Sequence, residues 1–187
     1  MCIRDRYITG RGYNLGIAAM KLLRLGFYDE SISLIRSISE IVNLFALFGV
    51  EPDSLNEWYT QSERQRIRNF TPAKVRKRLS HSPLEMPISR EYYSKMCEIG
   101  THVSPSTKPQ GHNVLDTGLV GGFVVKEQAI AVLNDLAKNL SWLAIVALNS
   151  SVDKETFKKE TKRLGPLYSK IGTLDIESIE EYLMNKR

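Results

Sequence analysis

The chain has 187 residues, with 26 Lys and Arg against 21 Asp and Glu, two cysteines and 42% hydrophobic residues. Such a chain can bury a core of its own, which excludes a disulfide-stapled miniprotein and a wholly disordered polypeptide. So few cysteines fit a reducing compartment, and no unbroken apolar run approaches the ~18 residues of a membrane span. A cytoplasmic location without membrane contact is therefore expected.

Residues 1–6, MCIRDR, resemble the translated scar of a sequencing adapter that heads metagenomic gene fragments. The domain is therefore read as residues 7–187. Leu15, Ala18, Ala19, Leu22 and Leu23 predict a first helix ending near Gly26. Leu34, Ile38, Ile41, Phe45 and Phe48 step by fours and threes, with Ile35 and Val42 beside them. They predict a helix with one broad apolar face, opened by Tyr28 or Asp29 and stopped by Gly49 and Pro52. Asp53 or Ser54 is expected to cap a more polar helix running through Trp58 to about Arg68. Thr71-Pro72, an N-cap followed by Pro at the first helical position, opens a short basic helix reaching Ser80. His81-Ser82-Pro83 and Pro87 break the chain. Another helix follows from Ser89 to Thr101, with Tyr92, Met96 and Ile99 as its core stripe. Val103–Val120, 18 residues holding Pro105, Pro109, Gly111 and Gly118, is a loop of the length usually reserved for function or mobility. Phe123-Val124-Val125 reads as a short strand-like piece. The longest helix spans Lys126 to Leu148, a charged one starts near Asp153, and Ser178–Met184 makes a last short one. The sum is all-α, a single bundle of about six to eight helices.

The charge is concentrated. Between Ser62 and His81 lie seven basic residues, Arg64, Arg66, Arg68, Lys74, Arg76, Lys77 and Arg78, opposed in sequence by Glu63 alone. The remainder of the chain holds 19 basic and 20 acidic residues, so one segment is basic and the body is neutral. On the second helix, Ser33, Arg36, Ser37, Glu40 and Asn43 share the face opposite the apolar stripe. Arg36 and Glu40, four apart, can pair. Either they form a solvated pair of little energetic worth, or they are buried at the polar mouth of a central helix. The second arrangement rests on Leu44, Leu47 and Phe48, which make the far end apolar nearly all round; buried there, the two would have to be paired. Glu91, Lys95, Glu98 and His102 also share a face, and Glu98 is placed to orient the His102 imidazole. The alternative role for His102 is to complement the helix dipole. Cys97 and His102 lie ~140° apart around the helix, which excludes a dyad. His81, His102 and His112 follow no metal-ligand spacing, and Gly118, Gly121 and Gly122 build no phosphate loop, so no metal and no cofactor are expected.

The segments SLIRSISEIVNLFAL, FTPAKVRKRL, YYSKMCEIGTHVSPS and GGF…AIAVLNDLAKNLSWLAI together resemble a large, poorly characterised family of bacterial all-helical proteins. The resemblance covers residues 15–150 approximately. Its pattern is R-S-x-x-E on an early helix, P-x-K-V-R, a Tyr-rich helix with Cys-Glu ending in a His, and Gly-Gly-Phe before a long Ala/Leu helix. It marks Arg36, Glu40 and His102. More distantly the arrangement resembles HEPN domains, helical bundles of defence and toxin systems, many of them metal-independent ribonucleases with an Arg followed by a His on one helix. Arg76 and His81 meet that spacing, as chance allows in an Arg-rich run, whereas His102 has no Arg at that distance before it.

Three functions follow as expectations. In an RNA-binding protein or metal-independent endoribonuclease, the seven cations contact phosphates while Trp58, Tyr59 and Phe70 stack on bases. His102 then acts as general acid/base on a ribose 2′-OH, Arg36 stabilises the developing charge, and Glu40 and Glu98 hold them in place. The alternative is a non-catalytic scaffold, a homodimer through the long Ala-rich helix, with Arg36, Glu40 and His102 as a buried polar network. A nucleotide or small-molecule site lined by Arg36, His102 and the 103–120 loop is the third.

Overall fold

Eight α-helices and no strand occupy residues 3–82, 86–102, 107–110, 117–151 and 153–171, the portion that the computed structural model describes. They are α1 (Ile3–Arg24), α2 (Tyr28–Val50), α3 (Pro52–Thr60), α4 (Glu63–Asn69), α5 (Pro72–Leu79), α6 (Arg90–Gly100), α7 (Lys126–Ser151) and α8 (Lys154–Ile171). The chain is thus an all-α bundle, as its periodicity predicts. The helix expected over 178–184, His112, and most of the 103–120 stretch lie outside the described residues.

Helix α2 is the axis of the bundle, with α1, α3, α5, α6 and α7 packed around it. Ile35, Ile38, Val42 and Leu47 are fully buried. Neighbours on several sides explain why the apolar surface is broader than one stripe. By length and mean hydropathy, 1.5 and 1.3, Tyr28–Val50 and Lys126–Asn149 are long and apolar enough to cross a membrane. Neither is an unbroken apolar run, since Arg36, Glu40 and Asn43 interrupt the first and Asn134, Asp135, Lys138 and Asn139 the second; their long apolar stretches carry the average. In the bundle, the apolar surface of α2 is taken up by the surrounding helices.

Side-chain caps open four of the eight helices. The single helix expected from Asp53 to Arg68 is two, because Ser62 starts a new one. Its hydroxyl accepts from the Gln65 amide at 3.4 Å and its own amide donates to Gln65 Oε1 at 3.1 Å, a capping box. Thr71 and Ser89 cap α5 and α6, accepting from the amides of Lys74 and Tyr92 at 3.4 and 3.2 Å. Asp153 caps α8, accepting from the Thr156 and Glu155 amides at 2.9 and 3.0 Å. The bonds from Thr156 in particular hold its carboxyl below the usual range.

Helix α6 runs antiparallel to α2, pairing Ile88 with Asn43 at one end and Gly100 with Ser33 at the other. Its buried residues are Tyr93, Met96 and Cys97, so the core stripe is turned from the expected Tyr92, Met96 and Ile99. The reason is that α6 faces two partners. Tyr93 turns to α2, while Tyr92 donates to Asp135 Oδ1 of α7 at 2.7 Å and accepts from Asn139 Nδ2 at 3.0 Å. Ser39 of α2 completes this chain by donating to Asn139 Oδ1 at 2.6 Å, both residues being fully buried. Burial and the Asp135 charge raise the pKa of Tyr92 and keep it protonated as a donor.

Phe123-Val124-Val125 is not a strand, since no second strand lies beside it among the described residues. It is instead fastened to the α1–α2 turn. The Phe123 amide donates to Gly26 O at 3.3 Å. The Tyr28 hydroxyl donates to Val125 O at 3.1 Å and accepts from the Val125 amide at 2.9 Å. Gly26 has φ 78°, and a Cβ on Gly122 would overlap the Leu25 carbonyl oxygen, so the turn and the Gly-Gly-Phe segment fit only as glycines. The first turn of α2 is capped from a distance. Phe27 offers no side-chain cap, and Gln110 Oε1 accepts the Tyr28 amide at 2.9 Å while the Gln110 amide donates to Asp29 Oδ2 at 2.7 Å.

Candidate functional site

Arg36 and Glu40 do pair, one helical turn apart, with side chains 21% and 31% exposed. They are therefore neither a solvated surface pair nor a fully buried one. Tyr93 joins them: Arg36 Nη1 donates to the Tyr93 hydroxyl at 2.8 Å, and that hydroxyl donates to Glu40 Oε1 at 2.6 Å. Arg76 of α5 closes the group, its guanidinium carbon 4.0 Å from the Tyr93 ring centroid. Burial opposes the charge on Arg36, but Glu40 and Tyr93 outweigh it and hold its pKa above the ordinary value. Tyr93 is pushed up to about 12 by burial and by the bond it donates to Glu40, against the pull of Arg36. It is therefore a neutral donor at physiological pH. Arg36 Nε is buried without an acceptor among the described residues.

The seven cations of the basic segment divide into two groups. Arg78 donates to Glu51 Oε2 from Nε and Nη2 at 3.0 and 2.6 Å and to Glu57 Oε2 from Nη1 at 3.1 Å, and its guanidinium lies 5.1 Å from the Phe70 centroid. The guanidinium carbon of Arg66 sits 5.3 Å from the Trp58 ring centroid, and Arg76 lies on Tyr93. Arg64, Arg68, Lys74 and Lys77 are exposed, and no carboxylate pairs with them among the described residues. Glu63 is thus not the only acidic neighbour: Glu51 and Glu57, before the segment in sequence, neutralise part of it in space.

Between α1, α2, α3 and α5 lies a cleft of about 510 Å³. Tyr7, Trp58 and Phe70 supply aromatic surface, Arg11 and Arg76 supply positive charge, and Glu40 is its acidic group. Tyr93 and this cleft are what the sequence reading lacks. The Tyr92-Tyr93 doublet was a signal for the first, but the cleft joins side chains from distant parts of the chain and leaves no local pattern.

Glu98 and His102 stand apart. Both are exposed, and no hydrogen bond or ion pair joins them among the described residues. Gly100, two residues before His102, packs on Asp29 and Ser33 at the start of α2. From Tyr93 to Gly100 is roughly 10 Å of helix at 1.5 Å per residue, so His102 is held away from Arg36 and Glu40. Neither Arg36 nor His102 lines the cleft. No metal-holding group of three or more His, Cys, Asp or Glu side chains occurs among the described residues. No protein-family model, no curated protein and no solved structure matches the chain.

Proposed function

We propose that the protein binds single-stranded RNA through the face formed by α3, α4 and α5, as a HEPN-like helical bundle that binds without cutting. The observation that supports this most is the set of four exposed, carboxylate-free cations, Arg64, Arg68, Lys74 and Lys77, beside an aromatic-lined cleft. Unpaired cations release the counterions condensed on a phosphate backbone, and aromatic rings accept bases regardless of sequence. Cleavage has weaker support, because the acid/base candidate His102 does not line the cleft and has no bond to Arg36 or Glu40 among the described residues.

The test is fluorescence anisotropy with a labelled unstructured RNA over a salt series. The variant with Arg64→Gln, Arg68→Gln, Lys74→Gln and Lys77→Gln should lose up to about 2.8 from the slope of log affinity against log salt, at about 0.7 per phosphate contact. Absence of salt-sensitive binding in the parent protein overturns the proposal. RNA cleavage in EDTA, abolished by both Arg36→Ala and His102→Ala, would restore the nuclease function.

A homodimeric scaffold joined through α7 is the second reading. It is favoured by Ile130 and Leu133, 48% and 41% exposed on that helix. Sedimentation velocity of the parent and of Leu133→Asp tests it, a dimer lost in the variant being the supporting result.

A further inference from the structure

The cleft has a composition that its own residues do not balance. Two guanidinium groups, Arg11 and Arg76, line it, and neither is bonded to a carboxylate among the described residues. Its acidic residue, Glu40, already accepts at Oε1 from both Arg36 and Tyr93. The local charge is therefore positive and suits an anion.

The cations are also prepared for a particular anion. Arg76 lies over the Tyr93 ring, its guanidinium carbon 4.0 Å from the centroid, and no carboxylate pairs with it among the described residues. A planar fork of that kind matches two oxygens of a phosphate. Arg11, one helix away, approaches the same space.

The remaining wall is aromatic. Trp58 is fixed by edge contacts with Phe48 and Tyr59, with ring centroids 6.1 and 5.1 Å away, and by the Arg66 guanidinium 5.3 Å from its own centroid, and Tyr7 is 72% exposed at the rim. A rigid indole and an exposed phenol beside two unpaired guanidinium groups suit a flat ring carrying an anionic tail. At about 510 Å³ the cleft falls within the size range of small-molecule sites.

We propose that this cleft binds a nucleoside monophosphate group, with the base on Trp58 and Tyr7 and the phosphate between Arg11 and Arg76. The free oxygen of Glu40 accepts from a donor on the base edge or ribose. The group is supplied either by a free nucleotide or by an end of a single strand, and only the second source rests on the RNA-binding function proposed above.

Isothermal titration calorimetry of the full chain with the four ribonucleoside 5′-monophosphates tests the proposal. At least one should bind saturably. Its parent nucleoside and inorganic phosphate should each bind roughly tenfold or more weakly, since each forfeits either the charge-assisted bonds or the stacking. Arg76→Met and Tyr7→Ser should weaken the nucleotide to a similar degree, with melting curves confirming that both variants fold. Competition between the nucleotide and labelled RNA then separates the sources. Nucleotide binding without RNA binding keeps the cleft site and removes the RNA function. RNA binding with no saturable nucleotide binding overturns the cleft site and leaves the RNA function standing. Nucleotide binding that is indifferent to both Arg76→Met and Tyr7→Ser overturns the assignment to this cleft.

Discussion

Replacing Arg78 with Met keeps most of the stem that covers Phe70 and deletes the guanidinium that ties α5 to Glu51 and to Glu57 of α3. The three side chains are 27%, 39% and 36% exposed. Each ion pair must therefore be discounted towards the worth of a surface pair, about 0.5–1 kcal/mol. The contact over the Phe70 ring adds about 0.5–1 kcal/mol. The two pairs and the ring contact together put the loss near 2 kcal/mol, approximately, part of it returned by the thioether packing on Phe70. Urea unfolding followed by circular dichroism measures it, with exposed Arg68→Met as the control, expected to change stability by less than about 0.5 kcal/mol. The same two variants should reverse their order in the RNA salt series, where Arg68→Met lowers the slope and Arg78→Met does not. A stability loss below about 0.5 kcal/mol for Arg78→Met, or an equal loss of slope in both, refutes the division of the cations into clamps and contacts.

Three further outcomes are expected. Asn43 is buried and exchanges two hydrogen bonds with the Ile88 backbone, at 3.1 and 3.2 Å, so Asn43→Leu leaves both backbone groups orphaned. It should cost about 2–5 kcal/mol in urea unfolding, and an unchanged midpoint counts against it. Tyr93 has its pKa raised from 10.0 to about 12, which favours the protonated form in the folded state. Its stabilising contribution is then complete below pH 10 and lost as pH rises through about 12. Tyr93→Phe should flatten that alkaline decline and remove the late step from a tyrosinate absorbance titration; a Tyr93 step at the ordinary value contradicts the cause assigned. Gly122→Ala places a methyl against the Leu25 carbonyl and should cost at least the ~1–3 kcal/mol of an overpacked site, so a variant with parental melting behaviour would show that the segment can shift.

The helices were largely legible because each carried its own signals. The apolar steps of α2 and the caps Thr71 and Ser89 are local features, read within a few residues. The α3–α4 break was legible too, as Ser62-x-x-Gln65, yet the continuing polar pattern concealed it. The α6 stripe was misplaced because helical periodicity assumes one buried face, and α6 is held between α2 and α7. The site was only half legible for the same reason. Arg36 and Glu40 are neighbours in sequence, but Tyr93 and Arg76 reach them only through the antiparallel docking of α6 and the crossing of α5. Arg78 looked like one more cation in a run, because nothing local says that Glu51 and Glu57 fold back onto it.

The distant cap on α2 carries a kinetic consequence. The Tyr28 amide bonds to Gln110 Oε1, and the Tyr28 hydroxyl holds both polar groups of the Val125 backbone. Amide protons at a helix start normally exchange with solvent through fraying of their own turn. Here the Tyr28 proton can leave only when a segment some eighty residues later in the chain lets go. Its hydrogen-exchange rate is therefore a clock for the detachment of that segment, readable at a position that looks like the quiet core of the molecule.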